Sequence, residues 1–536
     1  MTLSLSVPVS TRALPLTVES NPKKVRAWIE SLPLTKTVAS TAQVTEALEA
    51  WNHAKMPAEE RVVLVDICRP VVAVLLDELE AVYAYSSLPL QAKQKEAFDL
   101  AGGLLTQCAY AYKMLVLEKA GKRIMFNAMK VLPTPMYLAM HFLREQMLRS
   151  YKTYHPVPVG VWQELHSLYL YAEEQGMLAE VCNVGDTGSG AAKPDEKSQT
   201  IMDLYTEALM VSLADPYRLM ASEVDRIMEI LKQSRGMVDL RTNADGLNPQ
   251  RLFVLALDSD QAPKVLIQGG RPPAGQVLRV IDPNRLVEKQ QQRNRAQMSN
   301  TGNIAKSRAT HDLSDLIARL IRLWGDPPKR QFRRNPTDSA VALCSGIKAI
   351  GYFTDLALSE NPENDIQAIR DGGTIPLLKI PQDPMSQMIG VEEWHVLNQS
   401  ANGLRMHREA GGNVSVTVGE VVGVRFMGGR TWNVGIIRWL SLLEGNALEF
   451  GVELVAPAVE SITIEPTIGS SGKAAPALKL IALSQEGESD TLISAAETFS
   501  DLREFELNWQ GELTHVRATQ LVERTTRFDM FQFQGS

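Results

Sequence analysis

The segment "KRQFRRNP", residues 329–336, places several cationic side chains close together. Within it, Arg330 and Arg334 form an R-x-x-x-R pattern around Phe332. A planar guanidinium can bind phosphate oxygens in bidentate fashion, grip the O6/N7 edge of guanine and stack on a purine ring. Charge runs usually face water. The segment alone therefore leaves three interpretations open: a solvated linker, a nucleic-acid patch or a phosphate clamp.

A second polar group follows downstream in "LNQSANGLRM", where Asn398, Ser400 and Gly403 form the pattern N-x-S-x-x-G. Asn and Ser provide hydrogen-bond donors and acceptors of short reach, and Gly lets another backbone or a flat base approach closely. On its own, such a cluster is most often a turn. Its meaning, like that of the arginines, depends on the rest of the chain.

No pattern typical of a catalytic or metal site accompanies these groups. The Glu-Ala-Leu triplets at 46–48 and 207–209 resemble the start of a phosphodiesterase signature, but their surroundings lack the strand–helix alternation of a TIM barrel. The loop "GDTGSGAAKP" lacks the Gly-Lys-Ser/Thr of a phosphate-binding loop, and the histidines form no HExxH. The four cysteines form no CxxC pair, which favours buried thiols. We expect no enzymatic activity and no metal.

Length and composition indicate a multidomain globular protein. The 536 residues allow three or four domains of ~150 residues, and the net charge of -7 argues against a general nucleic-acid-binding protein. The N-terminus has no basic region ahead of an apolar stretch, and charged residues interrupt the most apolar stretch, 61–85. We therefore expect neither a signal peptide nor a membrane-spanning helix, and a cytoplasmic location.

The first half of the chain is dominated by helical spacing of apolar residues. Residues 20 to 235 predict a stack of helical hairpins, a type of domain that often presents a surface to a partner protein. From 236 to 285, short β-rich runs between Gly and Pro predict a small mixed segment. The polar stretch 288–310 is typical of a mobile linker, whereas 313–324 has the apolar face of an amphipathic helix.

After Pro336, short runs rich in strand-forming residues predict an antiparallel barrel, beginning with a strand-like run at 339–353. Residues 359–390 are typical of an insertion with a short helix of its own. We expect an α+β multidomain fold. Its domains are an all-α helical-hairpin interaction domain (1–235), a small mixed α/β segment (236–285), a linker and amphipathic helix (286–328), an antiparallel β-barrel (329–457) and a β-rich C-terminal extension (458–536).

Together and in this order, the two polar motifs resemble the signature of the PilZ domain, a β-barrel receptor for the bacterial second messenger cyclic di-GMP. The later stretch "GVRF…WNVGIIRWL…FGVEL" is also similar to the family, and the resemblance covers residues 329 to about 457. This chain departs from the family in one respect, because 63 residues separate Arg334 from Asn398. The insertion could cover the ligand or block its site.

The resemblance implies that cyclic di-GMP is the ligand and assigns six residues to its site. Arginines would grip phosphate and guanine edges, the Asn-Ser-Gly group would contact a guanine, and a tryptophan would face the base. These residues are Arg330, Arg334, Asn398, Ser400, Gly403 and Trp439. A buried core position is the alternative for Trp439, and the neighbouring Lys329 leaves open whether one or two ligand molecules bind.

The expected function is that of a bacterial cyclic di-GMP receptor that changes its domain orientation and regulates a protein partner through the helical domain. Motility, pilus and exopolysaccharide control are all compatible with the resemblance. Like charges at 329–334 repel one another, so we expect this connector to be mobile until the ligand neutralises it. The alternatives are a PilZ-like scaffold that no longer binds the ligand and an enzyme housed in the helical zone.

Overall fold

The computed structural model describes residues 3–121, 131–182, 184, 199–247, 251–267, 275–299, 308–325, 335–359, 384–467, 474–481 and 490–535. The chain divides into two compact units. The first comprises Met1–Ser86 and Leu90–Lys329, and the second Ser87–Pro89 and Arg330–Ser536. Helices and a small sheet build the first unit, and two β-barrels build the second. The predicted α+β multidomain fold is confirmed.

A stack of helices opens the first unit. In chain order the helices are α1 (Pro22–Glu30), α2 (Thr37–His53), α3 (Ala58–Tyr83), α4 (Ala92–Gly121), α5 (Pro133–Lys152), α6 (Val161–Glu174), α7 (Ile201–Ser212) and α8 (Ala221–Lys232), with a 3-10 turn at Pro216–Arg218. The start of α1 illustrates how the sequence sets a boundary. The side chain of Asn21 accepts a hydrogen bond from the backbone N–H of Lys23 at 3.0 Å, and Pro22 occupies the first turn.

Charged side chains that enter the core of this helix stack are paired. Glu207, from the second Glu-Ala-Leu triplet, has a side chain only 4% exposed. It accepts hydrogen bonds from Arg144 at 2.5 Å and from Arg235 at 3.0 Å. Removing both arginines would leave the buried charge of Glu207 uncompensated. Glu207 therefore belongs to an ion-pair network of the core, and the residues that the structure describes contain no cluster suited to a metal ion.

A four-stranded antiparallel sheet follows the helices in the strand order β1-β4-β2-β3. Its strands are β1 (Asp239–Arg241), β2 (Arg251–Ala256), β3 (Lys264–Ile267) and β4 (Leu278–Asp282). Phe253, Leu255 and Ile281 lie on one buried face, in the same apolar core as the helices. The sheet is therefore part of the helical unit.

The segment after the sheet corrects the prediction of a mobile linker, because α9 (Asn284–Ser299) occupies much of it. Its mean hydropathy is low, yet Leu286 and Val287 are buried. The amide of Gln290 is also buried and donates to Ser234 Oγ at 3.2 Å. A few buried contacts on one face are enough to hold a helix whose other faces are polar. The average polarity of the segment did not reveal this buried face, so the linker prediction was wrong for 288–299.

The next helix, α10 (Arg308–Trp324), confirms the predicted amphipathic helix. Leu316, Leu320 and Trp324 are buried along one face, and Trp324 Nε1 donates to the carbonyl of Met210 at 3.1 Å. This hydrogen bond satisfies the polar atom of an otherwise apolar side chain. The end of α10 is thereby fixed to the helical core.

A closed six-stranded antiparallel barrel opens the second unit, in the strand order β10-β7-β6-β5-β8-β9. We call it the first barrel; its strands are β5 (Asn335–Ser345), β6 (Val391–Gln399), β7 (Gly403–Arg408), β8 (Val421–Phe426), β9 (Asn433–Leu442) and β10 (Leu448–Ala456). Trp394 and Phe450 are fully buried, with ring centroids 4.7 Å apart in an edge-to-face arrangement. These rings mark the face of each strand that points inward.

One part of the predicted strand run at 339–353 is helical. Strand β5 ends at Ser345, Gly346 adopts a φ of +89°, and α11 (Ile347–Ser359) begins. The β-branched and aromatic residues that favoured a strand lie instead on a helix, with Ile350 and Phe353 buried three positions apart. The predicted insertion is described only at its end, where α12 (Pro384–Ile389) forms a short helix, because 360–383 lie outside the described residues.

The C-terminal extension forms a second closed six-stranded antiparallel barrel, in the order β11-β12-β13-β16-β15-β14. Its strands are β11 (Ala458–Pro466), β12 (Ala475–Ile481), β13 (Thr491–Ala495), β14 (Glu504–Trp509), β15 (Glu512–Arg524) and β16 (Phe528–Gly535). One apolar cluster contains Phe353 of α11, Ile436 of the first barrel and Leu478 and Phe528 of the second. The two barrels and α11 are thus held together by a common core.

No helix within the described ranges is both long enough and apolar enough to cross a membrane.

The correction at α9 leads to a stability prediction. Leu286→Ala removes a fully buried side chain and should lower the free energy of unfolding by about 2 to 4 kcal/mol. Gln292→Ala, at an exposed position of the same helix, should have almost no effect. Chemical denaturation followed by circular dichroism tests both variants, and equal stabilities would contradict the packing of α9 against the core.

Candidate ligand-binding site

The two predicted arginines, Arg330 and Arg334, lie outside the described residues, as does Lys329. The strand that follows them is described. Asn335, bonded directly to Arg334 in the sequence, begins β5 and pairs with Gln399 at the end of β6. The start of β5 is therefore next to the Asn-Ser-Gly motif.

The Asn-Ser-Gly motif forms the tight connection between β6 and β7. The backbone N–H of Ser400 donates to the carbonyl of Gly403 at 2.8 Å, and its hydroxyl donates to the same oxygen at 3.4 Å. A Cβ added to Gly403 would lie 3.1 Å from Ser400 Oγ and 3.5 Å from the carbonyl oxygen of Val452 on β10. Glycine lets the turn approach the neighbouring strand closely. The turn that the residue types favour is present.

Asn398 and Trp439 lie in one row across four neighbouring strands. In the antiparallel register, Asn398 pairs with Arg405, Arg405 with Gly451, and Gly451 with Trp439. Directly paired residues share a face of the sheet. From Asn398 to Trp439 the row crosses three strand spacings, or roughly 14 Å. Pro336 of β5 pairs with Asn398 and extends the row by one more strand.

This row, Pro336–Asn398–Arg405–Gly451–Trp439, is named the outer row because it lies on the outside of the first barrel. On β7, β10 and β9 the residues that alternate with it are buried, namely Leu404, Phe450 and Leu440. Successive side chains of a strand point to opposite faces. Residues separated by up to 115 positions in the sequence, from Pro336 to Gly451, are thereby brought to the outer face of the sheet.

Trp439 is half-buried on this outer surface and is not part of the barrel interior. A Cβ added to its pairing partner, Gly451, would lie only 1.9 Å from Trp439 Nε1. The indole therefore lies across the backbone of Gly451, where no other residue type would leave room. A ring held in this way presents part of its apolar surface to solvent and can stack on a planar ligand.

A fixed positive charge stands in the middle of the outer row. Arg405 is 40% exposed, and its Nε donates to Glu449 Oε1 at 2.7 Å. The hydrogen bond to Glu449 raises the pKa of Arg405 above its ordinary value. Arg405 and Glu449 were not among the site residues predicted from the sequence. The alternation of strand side chains was the available signal, because Arg405 follows Gly403 by two residues and so shares its face.

The site thus combines an apolar ring, an amide, a turn hydroxyl and a guanidinium, next to the strand that follows the R-x-x-x-R segment. Such a surface suits an anionic ligand with planar rings. The described residues of the outer row include no nucleophile paired with a base.

Comparisons with known proteins give a consistent family assignment. Residues 23–245 match the N-terminal domain of the cyclic-di-GMP receptor FimW, 252–359 and 382–460 its middle PilZ domain, and 462–536 its C-terminal β-barrel domain. The chain is 22% identical to the cyclic-di-GMP receptor FimW of Pseudomonas aeruginosa over 589 aligned positions, which cover 100% of this chain and 94% of the relative. No solved structure matches the chain.

The position of Trp439 gives a prediction that requires no ligand. Gly451→Ala places a methyl group within 1.9 Å of the indole nitrogen, so Trp439 must move away from the sheet. We expect Trp439 to become more accessible to a soluble quencher such as acrylamide. The fluorescence of Trp439 is obtained by subtracting the fluorescence of the corresponding Trp439→Phe variant from that of each protein. Gly535→Ala, where a Cβ would meet nothing within 4 Å, is the control and should behave like the unaltered protein.

Proposed function

Because the chain belongs to the family of FimW-type cyclic di-GMP receptors, with their PilZ domain, we propose that it binds cyclic di-GMP on the outer row of its first barrel. The family is one of receptors, and no catalytic step is part of the proposal. The observation that carries it is the register that aligns Asn398, Arg405 and Trp439 beside the strand that follows Arg334. Binding would regulate a protein partner in the cytoplasm.

In this proposal the phosphates are bound by the two arginines of the R-x-x-x-R segment. Cyclic di-GMP carries two phosphodiester charges, and bidentate guanidinium contacts are the strongest that a side chain can offer to them. Support comes from the pairing of Asn335 with Gln399, since Arg334 precedes Asn335 by a single peptide bond. Arg405 adds a positive charge on the same face.

The guanine bases would lie along the outer row, whose two ends carry the Asn-Ser-Gly turn and Trp439. Asn398 offers an amide that can donate and accept hydrogen bonds, and Ser400 offers a hydroxyl. The indole of Trp439, lying across Gly451, offers a flat apolar surface for a purine ring. Because roughly 14 Å of sheet separates the two ends of the outer row, the polar edge and the stacking surface would be offered to different parts of the dinucleotide.

We further propose that the ligand changes the orientation of the helical domain through the segment 326–334, which precedes β5 in the sequence. Lys329, Arg330, Arg333 and Arg334 repel one another when no anion is bound, and a ligand with two negative charges would neutralise them. The ligand can shift such an equilibrium only by its difference in affinity for the two arrangements. A hundredfold difference, about 2.7 kcal/mol, would give a usable switch.

Calorimetric titration tests the ligand and its site. We expect cyclic di-GMP to bind with micromolar affinity or better, roughly -8 kcal/mol. Arg334→Ala should weaken binding by about 2 to 3 kcal/mol because it removes charge-assisted hydrogen bonds. Arg517→Ala, which removes an arginine from the second barrel, is the matched control and should leave the affinity unchanged.

Two outcomes would contradict this assignment. Unaltered affinity in Arg330→Ala/Arg334→Ala would exclude the arginine clamp. No binding by the unaltered protein would favour a PilZ-like scaffold that no longer binds the ligand.

The proposed reorientation has a separate test. Saturating cyclic di-GMP should increase the hydrogen-exchange protection of residues 326–336 and change the overall dimensions measured by small-angle scattering. Arg330→Ala/Arg334→Ala at the same ligand concentration is the control and should show neither change. Unchanged protection together with unchanged dimensions in the unaltered protein would refute this segment as the moving part. A pulldown with residues 1–325, which keep α9 and α10, would then look for the partner of the helical domain.

A further inference from the structure

Arg438, the residue before Trp439, joins the first barrel to the second through a bidentate ion pair. Its Nη1 donates to Glu523 Oε1 at 2.5 Å, and its Nη2 donates to Glu523 Oε2 at 2.8 Å. Glu523 belongs to β15 of the second barrel. Two parallel hydrogen bonds between a planar guanidinium and a carboxylate fix both groups in orientation as well as in distance.

The same guanidinium also binds within the first barrel. Arg438 Nε donates to Glu453 Oε2 at 2.6 Å, and Glu453 pairs with Gly403 in the register of β10 and β7. Arg438 therefore links the strand that carries Trp439 to the strand beside the Asn-Ser-Gly turn. Burial by itself lowers the pKa of Arg438, but the hydrogen bonds to Glu523 and Glu453 raise it above its ordinary value.

A β-bulge lies on each side of this contact. In β9, Trp439 pairs with Gly451 and Ile437 with Val452, so Arg438 is the extra residue. In β15, Leu521 pairs with Phe531 and Glu523 with Met530, so the extra residue is Val522. A bulge bends its strand and changes the direction of the adjacent side chains. The bulge at Arg438 is thus what places two consecutive side chains, Arg438 and Trp439, on the outer surface.

We infer that Glu523 of the second barrel is a positioning residue for the ligand site, acting through Arg438 on Trp439. The inference rests on the proposed function. Trp439 itself lies across Gly451, a residue with no side chain to hold the indole from the side. The direction of the indole therefore depends on the backbone of the bulge, which the ion pair between Arg438 and Glu523 fixes. The second barrel contributes to ligand affinity in this way without touching the ligand.

Glu523→Gln tests the inference, because it keeps the shape of the side chain and removes its charge. In the full chain we expect cyclic di-GMP to bind about fivefold more weakly, a loss in keeping with a partly exposed ion pair. Arg438→Gln should have a similar or larger effect, and Arg438→Gln/Glu523→Gln should be no weaker than Arg438→Gln alone, because the two residues act as a unit.

A readout specific to Trp439 separates positioning from general stabilisation. We expect acrylamide to quench Trp439 more efficiently in ligand-free Glu523→Gln than in the unaltered protein, with its signal again obtained by difference from Trp439→Phe variants. Glu504→Gln is the matched control, since it breaks the pair of Glu504 with Arg517 inside the second barrel and should change neither quenching nor affinity.

The outcomes distinguish the inference from the proposed function. Unchanged affinity and unchanged Trp439 quenching in Glu523→Gln, with normal binding by the unaltered protein, would overturn the inference alone. If the unaltered protein binds no cyclic di-GMP, both the proposed function and this role are overturned. If Glu523→Gln does not fold, Arg438→Gln decides by the same two measurements, because it removes the same ion pair.

Discussion

The antiparallel register of the first barrel is the constraint on which the candidate site depends. Asn398, Arg405, Gly451 and Trp439 share a surface only because each pairs with the next across the sheet. A slip by one residue would turn every side chain of a strand to the opposite face. The buried residues of the alternate positions oppose such a slip, since it would expose them to water. The apolar interior of the barrel therefore determines which polar residues lie on its outer surface.

The second barrel belongs to the same physical system as the first. Apolar residues of both barrels and of α11 form one cluster, so neither barrel could leave the other without exposing that cluster. Burial of apolar side chains in this cluster has no preferred direction. The Arg438–Glu523 ion pair, in contrast, also fixes the orientation of the two side chains. Burial holds the barrels together, and the ion pair specifies one orientation of the strand that carries Trp439.

Much of the fold was predictable because its signals are local. The helical stack and the amphipathic face of α10 follow from the spacing of apolar residues, and the barrels follow from short alternating runs. Where local composition and tertiary packing disagree, the prediction was wrong. The helix α9 is stabilised by a few buried contacts in a polar segment, and α11 by packing of strand-forming residues against both barrels.

The candidate site, like the fold, was predictable only where its signals are local. Motif spacing selected Asn398, Ser400 and Gly403, and the structure gives the turn that they form, whereas Arg330 and Arg334 remain predictions. Strand alternation could have found Arg405, but pairing across distant strands was needed to find the ion pair of Arg438 with Glu523, because contacts between residues 85 positions apart leave no periodic signal. Side chains that act through register or through bulges are therefore the ones that a single sequence conceals.

The small sheet of the first unit has a consequence for the division of the chain into fragments. The N-terminal and middle family domains meet between residues 245 and 252, which separates β1 from its partner β4. A fragment that begins at this family boundary would also carry Phe253, Leu255 and Ile281 without α1 to α8, which share their apolar core. Such a truncated protein would expose apolar surface to water and tend to aggregate. A fragment that begins at Arg330, where the second compact unit resumes, would leave that surface behind.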